Sequence, residues 1–238
     1  MTKLSEQIIK DLKAASNPKL AAHHQVFFKT EKGGYGEGDL FFGLTAPQMK
    51  AVVKKYMQNA SLEDVKDLLY HPYHEARTCG VLILVGRFEK SKTQEDRRRI
   101  FDFYVKHLKR ANNWDLIDIS AYKIIGAHLY GEKDKSLLKK LSLSDNLWEQ
   151  RASIISTMYL VKKGELEETF KLAEFFLTHP HDLMHKAVGW LLREAGKQDE
   201  SALCRFLDKF AKRMPRTMLR YSLEKMTPAQ KAHYMKKD

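Results

Sequence analysis

Asn112-Asn-Trp-Asp-Leu-Ile-Asp-Ile-Ser-Ala121 is the stretch from which the rest of the chain can be read. Its apolar residues have helical spacing, and in a helix Trp114 and Asp118, four residues apart, lie one above the other on one face. Four other segments align with it: Glu75-Ala-Arg77-Thr-Cys-Gly, Glu149-Gln-Arg151-Ala-Ser-Ile, Met184-His-Lys186-Ala-Val-Gly and Met218-Leu-Arg220-Tyr-Ser-Leu. The aligned polar positions 77, 118, 151, 186 and 220 are separated by 41, 33, 35 and 34 residues. Between them fall further helical patterns, near 62–69, 95–109, 135–142, 166–177 and 200–212. Two helices per period with no strands is the signature of an α-solenoid of HEAT or armadillo type. The expected fold class is therefore all-α, one domain over residues 1–238. Each helix pair buries its apolar stripe only against its neighbours, and the second helices line a concave, basic face.

Ahead of the repeats, Leu4, Ile8, Ile9 and Leu12, then Leu20, Val26 and Phe27, predict helices over 4–15 and 18–29. Asn17-Pro18 separates them, with proline suited to a first helical turn. Thr30 to Leu44 then holds five glycines, in the run Gly33-Gly-Tyr-Gly-Glu-Gly-Asp39 and at Gly43. The run lacks the Gly-Lys-Ser/Thr ending of a phosphate-cradling loop and follows no strand, so it reads as a plain mobile connection. Thr45-Ala-Pro-Gln48 reads as a capping box opening a helix to about Met57.

Composition narrows the function classes. With 238 residues, 43% of them hydrophobic, the chain has material for a sizeable core. A net charge of +12 points to a polyanionic partner, nucleic acid first and an anionic membrane surface second. The stretch from Ser201 to the end carries ten Lys and Arg against three acids, a second place for backbone contact. Cys79 and Cys204 sit in apolar helical contexts with no metal or disulfide spacing. The N-terminus lacks an apolar signal core and no run reaches membrane-spanning length, so the expectation is a cytoplasmic protein with no membrane partner.

In a solenoid, equivalent positions point the same way, so Arg77, Asp118, Arg151, Lys186 and Arg220 are expected along one surface. A row of Arg and Lys suits a phosphate backbone. The competing reading is an internal ladder in which such cations pair with acids of the adjacent repeat. Trp190, four residues after Lys186, joins Trp114 on the same predicted face, and Trp148 is either near it or in the core. Indole faces meet cations and sugar C–H surfaces. A carboxylate between two of them stabilises positive charge developing on a sugar as a glycosidic bond breaks, or positions the attacking water. An alkylated purine is already cationic and is a good leaving group, so one acid and two aromatics suffice.

The segments Asn113-Trp114-Asp115-Leu-Ile-Asp118, Ser144-Asp-Asn-Leu-Trp-Glu-Gln-Arg151-Ala and Lys186-Ala-Val-Gly-Trp190-Leu-Leu-Arg-Glu194 resemble the AlkD-type DNA alkylation-repair glycosylases, which are built of HEAT-like repeats. The resemblance runs through most of the chain. It implies excision of cationic N3- and N7-alkylpurines from double-stranded DNA, leaving an abasic site, with no metal or organic cofactor. It implies Asp118 as the catalytic carboxylate, Trp114 and Trp190 against the lesion's deoxyribose and backbone, and Arg151 on a phosphate. It further implies a monomer that engages the lesion through its backbone, an exception to base flipping. The aromatic hydroxyl that family members offer from the second helix falls here at Phe27, the N-terminal position expected to meet DNA. The Gly33–Asp39 loop is longer than in the shortest members, which leaves the N-terminal contacts open. Asp115, off the Trp114–Asp118 line, reads as a solvated or helix-terminal acid. Two other classes compete: a non-catalytic HEAT module that binds DNA, and a protein-interaction scaffold.

Overall fold

The structure, a computed structural model, describes residues 1–236. Lys237 and Asp238, counted in the basic C-terminal stretch, lie outside the described residues. Among the described residues every regular element is a helix, and the β pairing is an isolated parallel bridge between Leu40 and Tyr73. The fold is the helical-repeat solenoid the sequence predicts. The chain divides into two compact units, Met1–Ser120 and Ala121–Asp238.

In the first unit, α1 (Lys3–Ala14) and α2 (Pro18–Phe27) begin on Thr2 and Asn17, whose side chains accept the exposed N–H groups of the first turn. Helix α3 (Ala46–Tyr56) opens on the Thr45/Gln48 capping box and α4 (Leu62–Leu69) on a second one, Ser61/Asp64. Helix α5 (His74–Lys90) packs against α1, α3, α4 and the following α6 (Gln94–Lys106). Because α5 has neighbours on several sides it shows no single apolar stripe: Ala76, Cys79, Val81, Ile83, Leu84 and Phe88 are all buried. A 3-10 turn, Leu108–Arg110, leads to α7 (Trp114–Ala121). The predicted 18–29 helix stops at Phe27, since Lys29 turns the chain with φ +51°. The residues after Leu40 are held by a buried acid. The Glu75 carboxylate accepts the backbone N–H of Phe42 (2.9 Å), Gly43 (2.8 Å) and Leu44 (3.3 Å).

The second unit continues from α7 through a π-helical turn, Tyr122–Gly126, into the short α8 (Ala127–Leu129). Then come α9 (Ser136–Ser142), α10 (Leu147–Val161), α11 (Glu167–Phe175), α12 (Asp182–Gln198), α13 (Glu200–Phe210), α14 (Arg216–Ser222) and α15 (Pro228–Met235). The pairing repeats. Helix α10 packs on α9, α11 and α12, and α12 packs on α11, α13 and α14. Buried hydroxyls on α10 satisfy themselves along the helix, Ser156 on the carbonyl of Ala152 (2.6 Å) and Thr157 on that of Ile154 (2.7 Å). Close approach of α12 and α14 needs Gly189, where a Cβ would lie 2.5 Å from the Met218 carbonyl oxygen. Gly189→Ala gains about 1 kcal/mol of helix propensity but drives α14 away, and overpacking of this kind costs about 1–3 kcal/mol. A thermal melt should show a lowered midpoint. An unchanged or raised one would mean that α14 yields without loss.

Candidate functional site

Helix α7 carries the residues singled out by sequence, and the first unit builds their surroundings. Asn113, fully buried just before the helix, accepts the Trp114 N–H on its side-chain oxygen (2.8 Å). Trp114 and Asp118 are both half-buried, one turn apart. Leu116, Ile117 and Ala121 fill the buried side of the same helix. Asp118 is thus reachable from solvent, and its charge helps hold the phenol of the buried Tyr104 neutral, above its usual range, although burial is the larger cause.

The indole of Trp114 is set by aromatic neighbours from two segments. Phe28 lies against it, centroids 5.5 Å apart and ring planes 27° apart, and Phe27 meets it edge-on at 5.9 Å. Phe27 is 54% exposed at the end of α2. The indole N–H donates to the Tyr35 hydroxyl (3.3 Å), which in turn donates to the Phe27 carbonyl (3.2 Å).

Beneath these rings runs a buried chain of charges. The His74 imidazole lies between Asp115 (Nε2 to Oδ2, 2.9 Å) and Asp39 (Nδ1 to Oδ2, 3.4 Å), with Phe28 and Phe41 against its ring. Asp39 also takes the Arg77 guanidinium at 2.6 Å, and the Asn113 amide reaches it at 3.5 Å. Burial pushes the His74 pKa down. The charge and hydrogen bond of Asp115, with the bond to Asp39, outweigh it and raise the pKa to about 9, so the ring is an imidazolium at neutral pH. Asp39 follows the same logic: burial would raise its carboxyl, but His74 and Arg77 hold it below the usual range. Beside this chain is a cavity of about 300 Å³, walled by Phe28, Phe41, Met49, Leu82 and Ile119 with His74 at its polar edge.

Three expectations change here. The Gly33–Asp39 run is not a plain connection. It delivers Tyr35 to Trp114 and buries Asp39, and Gly36 allows its close approach because a Cβ there would lie 2.4 Å from the Phe28 carbonyl oxygen. Asp115 is helix-terminal, in the first turn of α7, but its carboxylate is the partner of His74 rather than solvated. Arg77 is 2% exposed, held by Asp39 and by the carbonyls of His71 and Pro72, so no surface is left there for a phosphate. Sequence reasoning missed Tyr35, Asp39 and His74.

In the second unit Arg151 is 4% exposed and donates to the Leu183 carbonyl (2.5 Å) at the start of α12. Its burial takes it off a surface row, and the bond to Leu183 ties it to the next helix through a backbone carbonyl. Lys186 is half-buried, 2.8 Å from Asp182 one turn earlier. Arg220 is exposed, Trp190 is half-buried, and Trp148 belongs to the core. Among the described residues no group of three His, Cys, Asp or Glu is arranged to hold a metal ion, and no helix is long and apolar enough to cross a membrane.

A folded pKa near 9 against an ordinary 6.5 makes protonated His74 stabilising. That stability is fully present below about pH 6.5 and is lost as pH rises through about 9, on the order of 3 kcal/mol over the window. Denaturant melts from pH 6 to 10 should show the loss in the wild type and a flatter profile in His74→Gln. Parallel profiles would mean that His74 is not charged in the fold.

Residues 8–226 match the family described as DNA alkylation repair enzyme. No curated protein matches the sequence. A solved structure described as a predicted DNA alkylation repair enzyme from Enterococcus faecalis superposes with a TM-score of 0.70, at 15% identity over 90% of this chain and 97% of that one. At that identity the likeness speaks for the fold.

Proposed function

The chain belongs to the DNA alkylation repair enzyme family, and from that premise we propose that it is a monofunctional DNA glycosylase. It hydrolyses the N-glycosidic bond of cationic N3- and N7-alkylpurines in duplex DNA and leaves an abasic site. The observation that carries this reading is the pairing on α7: a solvent-reachable carboxylate, Asp118, one turn from a half-buried indole whose N–H is already engaged.

The chemistry follows from those two groups. As the bond from C1′ to the base nitrogen lengthens, its electrons leave with the base, whose positive charge is thereby neutralised. Positive charge develops on the sugar, and the Asp118 carboxylate stabilises it and orients water toward C1′, taking a proton from that water as its oxygen bonds to C1′. No general acid is needed, since the base departs neutral. Trp114 offers an aromatic surface to the deoxyribose, where C–H groups become more positive as the bond breaks. From the second unit, the proposal keeps Trp190 as an aromatic contact to DNA and Lys186 and Arg220 as phosphate contacts. Arg151 is taken to position the start of α12 through the Leu183 carbonyl, with any phosphate contact secondary to that bond. Engagement through the backbone rather than by base flipping belongs to the same proposal, as does a monomer working in the cytoplasm.

The test is single-turnover release of 7-methylguanine from a methylated duplex by wild type and Asp118→Asn, with duplex affinity measured in parallel. Asp118→Asn should lose about 100-fold or more in rate while binding holds or tightens, since a negative charge facing phosphates is removed. Absence of release by the wild type from either 7-methylguanine or 3-methyladenine duplexes, with binding strengthened in the variant, would leave a DNA-binding solenoid. Weak binding with a shallow salt dependence would point instead to a protein scaffold.

A further inference from the structure

The glycine-rich segment brings one side chain to the proposed site that neither the repeat pattern nor the charge row predicts. Tyr35 stands between Gly34 and Gly36, half-buried. Its hydroxyl accepts the Trp114 indole N–H at 3.3 Å and donates to the Phe27 carbonyl at 3.2 Å. The phenol therefore ties two elements together: the end of α2, where Phe27 and Phe28 sit, and the start of α7. The Lys29 ammonium lies over the same ring, 5.9 Å from its centroid. Asp39, at the far end of the run, is anchored on Arg77 and His74. On the near side the Gly34 N–H donates to the Glu31 carbonyl (2.9 Å), so the segment is fixed on both sides of Tyr35, which is what placing a single hydroxyl requires.

The consequence for Trp114 is orientation. Phe28 covers one face of the indole, Phe27 meets its edge, and Tyr35 occupies its N–H. With its donor satisfied, the ring has no hydrogen bond to seek from a phosphate or a base, so it presents a surface rather than a donor. A ring held from three sides does not pivot about χ2 when a sugar arrives. We infer that Tyr35 is a positioning residue for Trp114, the glycine-rich segment serving to hold the indole in the orientation that receives a deoxyribose. This rests on the glycosylase reading for its kinetic part, while the hydrogen bond itself does not.

The experiment uses the full chain labelled with 15N at its tryptophans. Three indole N–H resonances are expected, from Trp114, Trp148 and Trp190, and Trp114→Phe identifies the first. In Tyr35→Phe the Trp114 resonance should move upfield while the other two stay. In single-turnover base release Tyr35→Phe should lose about 10-fold with duplex affinity nearly unchanged, as misplacement of a positioned group does. In the Trp114→Phe background, Tyr35→Phe should then cost nothing further. An unmoved Trp114 resonance would overturn the inference, and so would a double variant whose loss is the product of the two single losses. If the wild type releases no base, the glycosylase reading falls. The resonance then decides alone, a shift upholding the role of Tyr35 and its absence removing it.

Discussion

The first unit depends on one buried interaction, the imidazolium of His74 held between Asp39 and Asp115. Each of its partners comes from a different part of the chain: Asp39 closes the glycine-rich segment, His74 opens α5 and Asp115 lies in the first turn of α7. Two carboxylates so enclosed would repel one another and suffer desolvation if no cation stood between them. His74 and Arg77 supply that charge, and Phe28 and Phe41 close the ring in. Removing one member leaves an uncompensated charge in an apolar wall, a larger penalty than losing the pair together. The arrangement thus fixes the register in which three segments meet, and with it the direction of Trp114.

Asp115 and Asp118 show how one helix divides two roles between two acids. Both are half-buried, but the Asp115 carboxylate is engaged by the His74 imidazolium, whereas Asp118, three residues on, lies one turn from Trp114. Similar division appears among the cations. Arg77 and Arg151 occupy equivalent repeat positions and both are buried, each donating to backbone carbonyls, His71 and Pro72 in one case and Leu183 in the other. A guanidinium suits this task because its planar set of donors meets several acceptors at once. Lys186 is half-buried beside Asp182 and Arg220 is exposed, so the aligned cations do not share one environment.

Much of the helical order was legible in the sequence because its signals are local. The Thr45-to-Gln48 capping box and Pro18 in a first turn need only a few neighbouring residues to be recognised, and the period of the second helices is found by aligning short patterns of that kind. Trp114 and Asp118 were legible for the same reason, being one turn apart. The network beneath them was not. Tyr35 reaches Trp114 across 79 residues and Asp39 reaches Arg77 across 38, and neither Tyr35 nor Asp39 belongs to the repeated pattern. Glycines at 33, 34, 36 and 38 read as freedom of the chain, although Gly36 is there for close approach to Phe28. One clue was available. His74-Glu-Ala-Arg77 places three charged or titratable residues ahead of the apolar run Val81-Leu-Ile-Leu-Val85, a pattern that calls for buried partners.

Running the reaction on a 7-methylguanine duplex in the presence of borohydride tests most directly the claim that this family member cuts the N-glycosidic bond by hydrolysis. The account predicts free 7-methylguanine together with an intact strand that carries an abasic site and no attached protein. Release accompanied by a borohydride-trapped protein–DNA adduct would contradict it, since that is the mark of amine attack rather than water. So would a methylated duplex that keeps its base in the presence of protein bound to it.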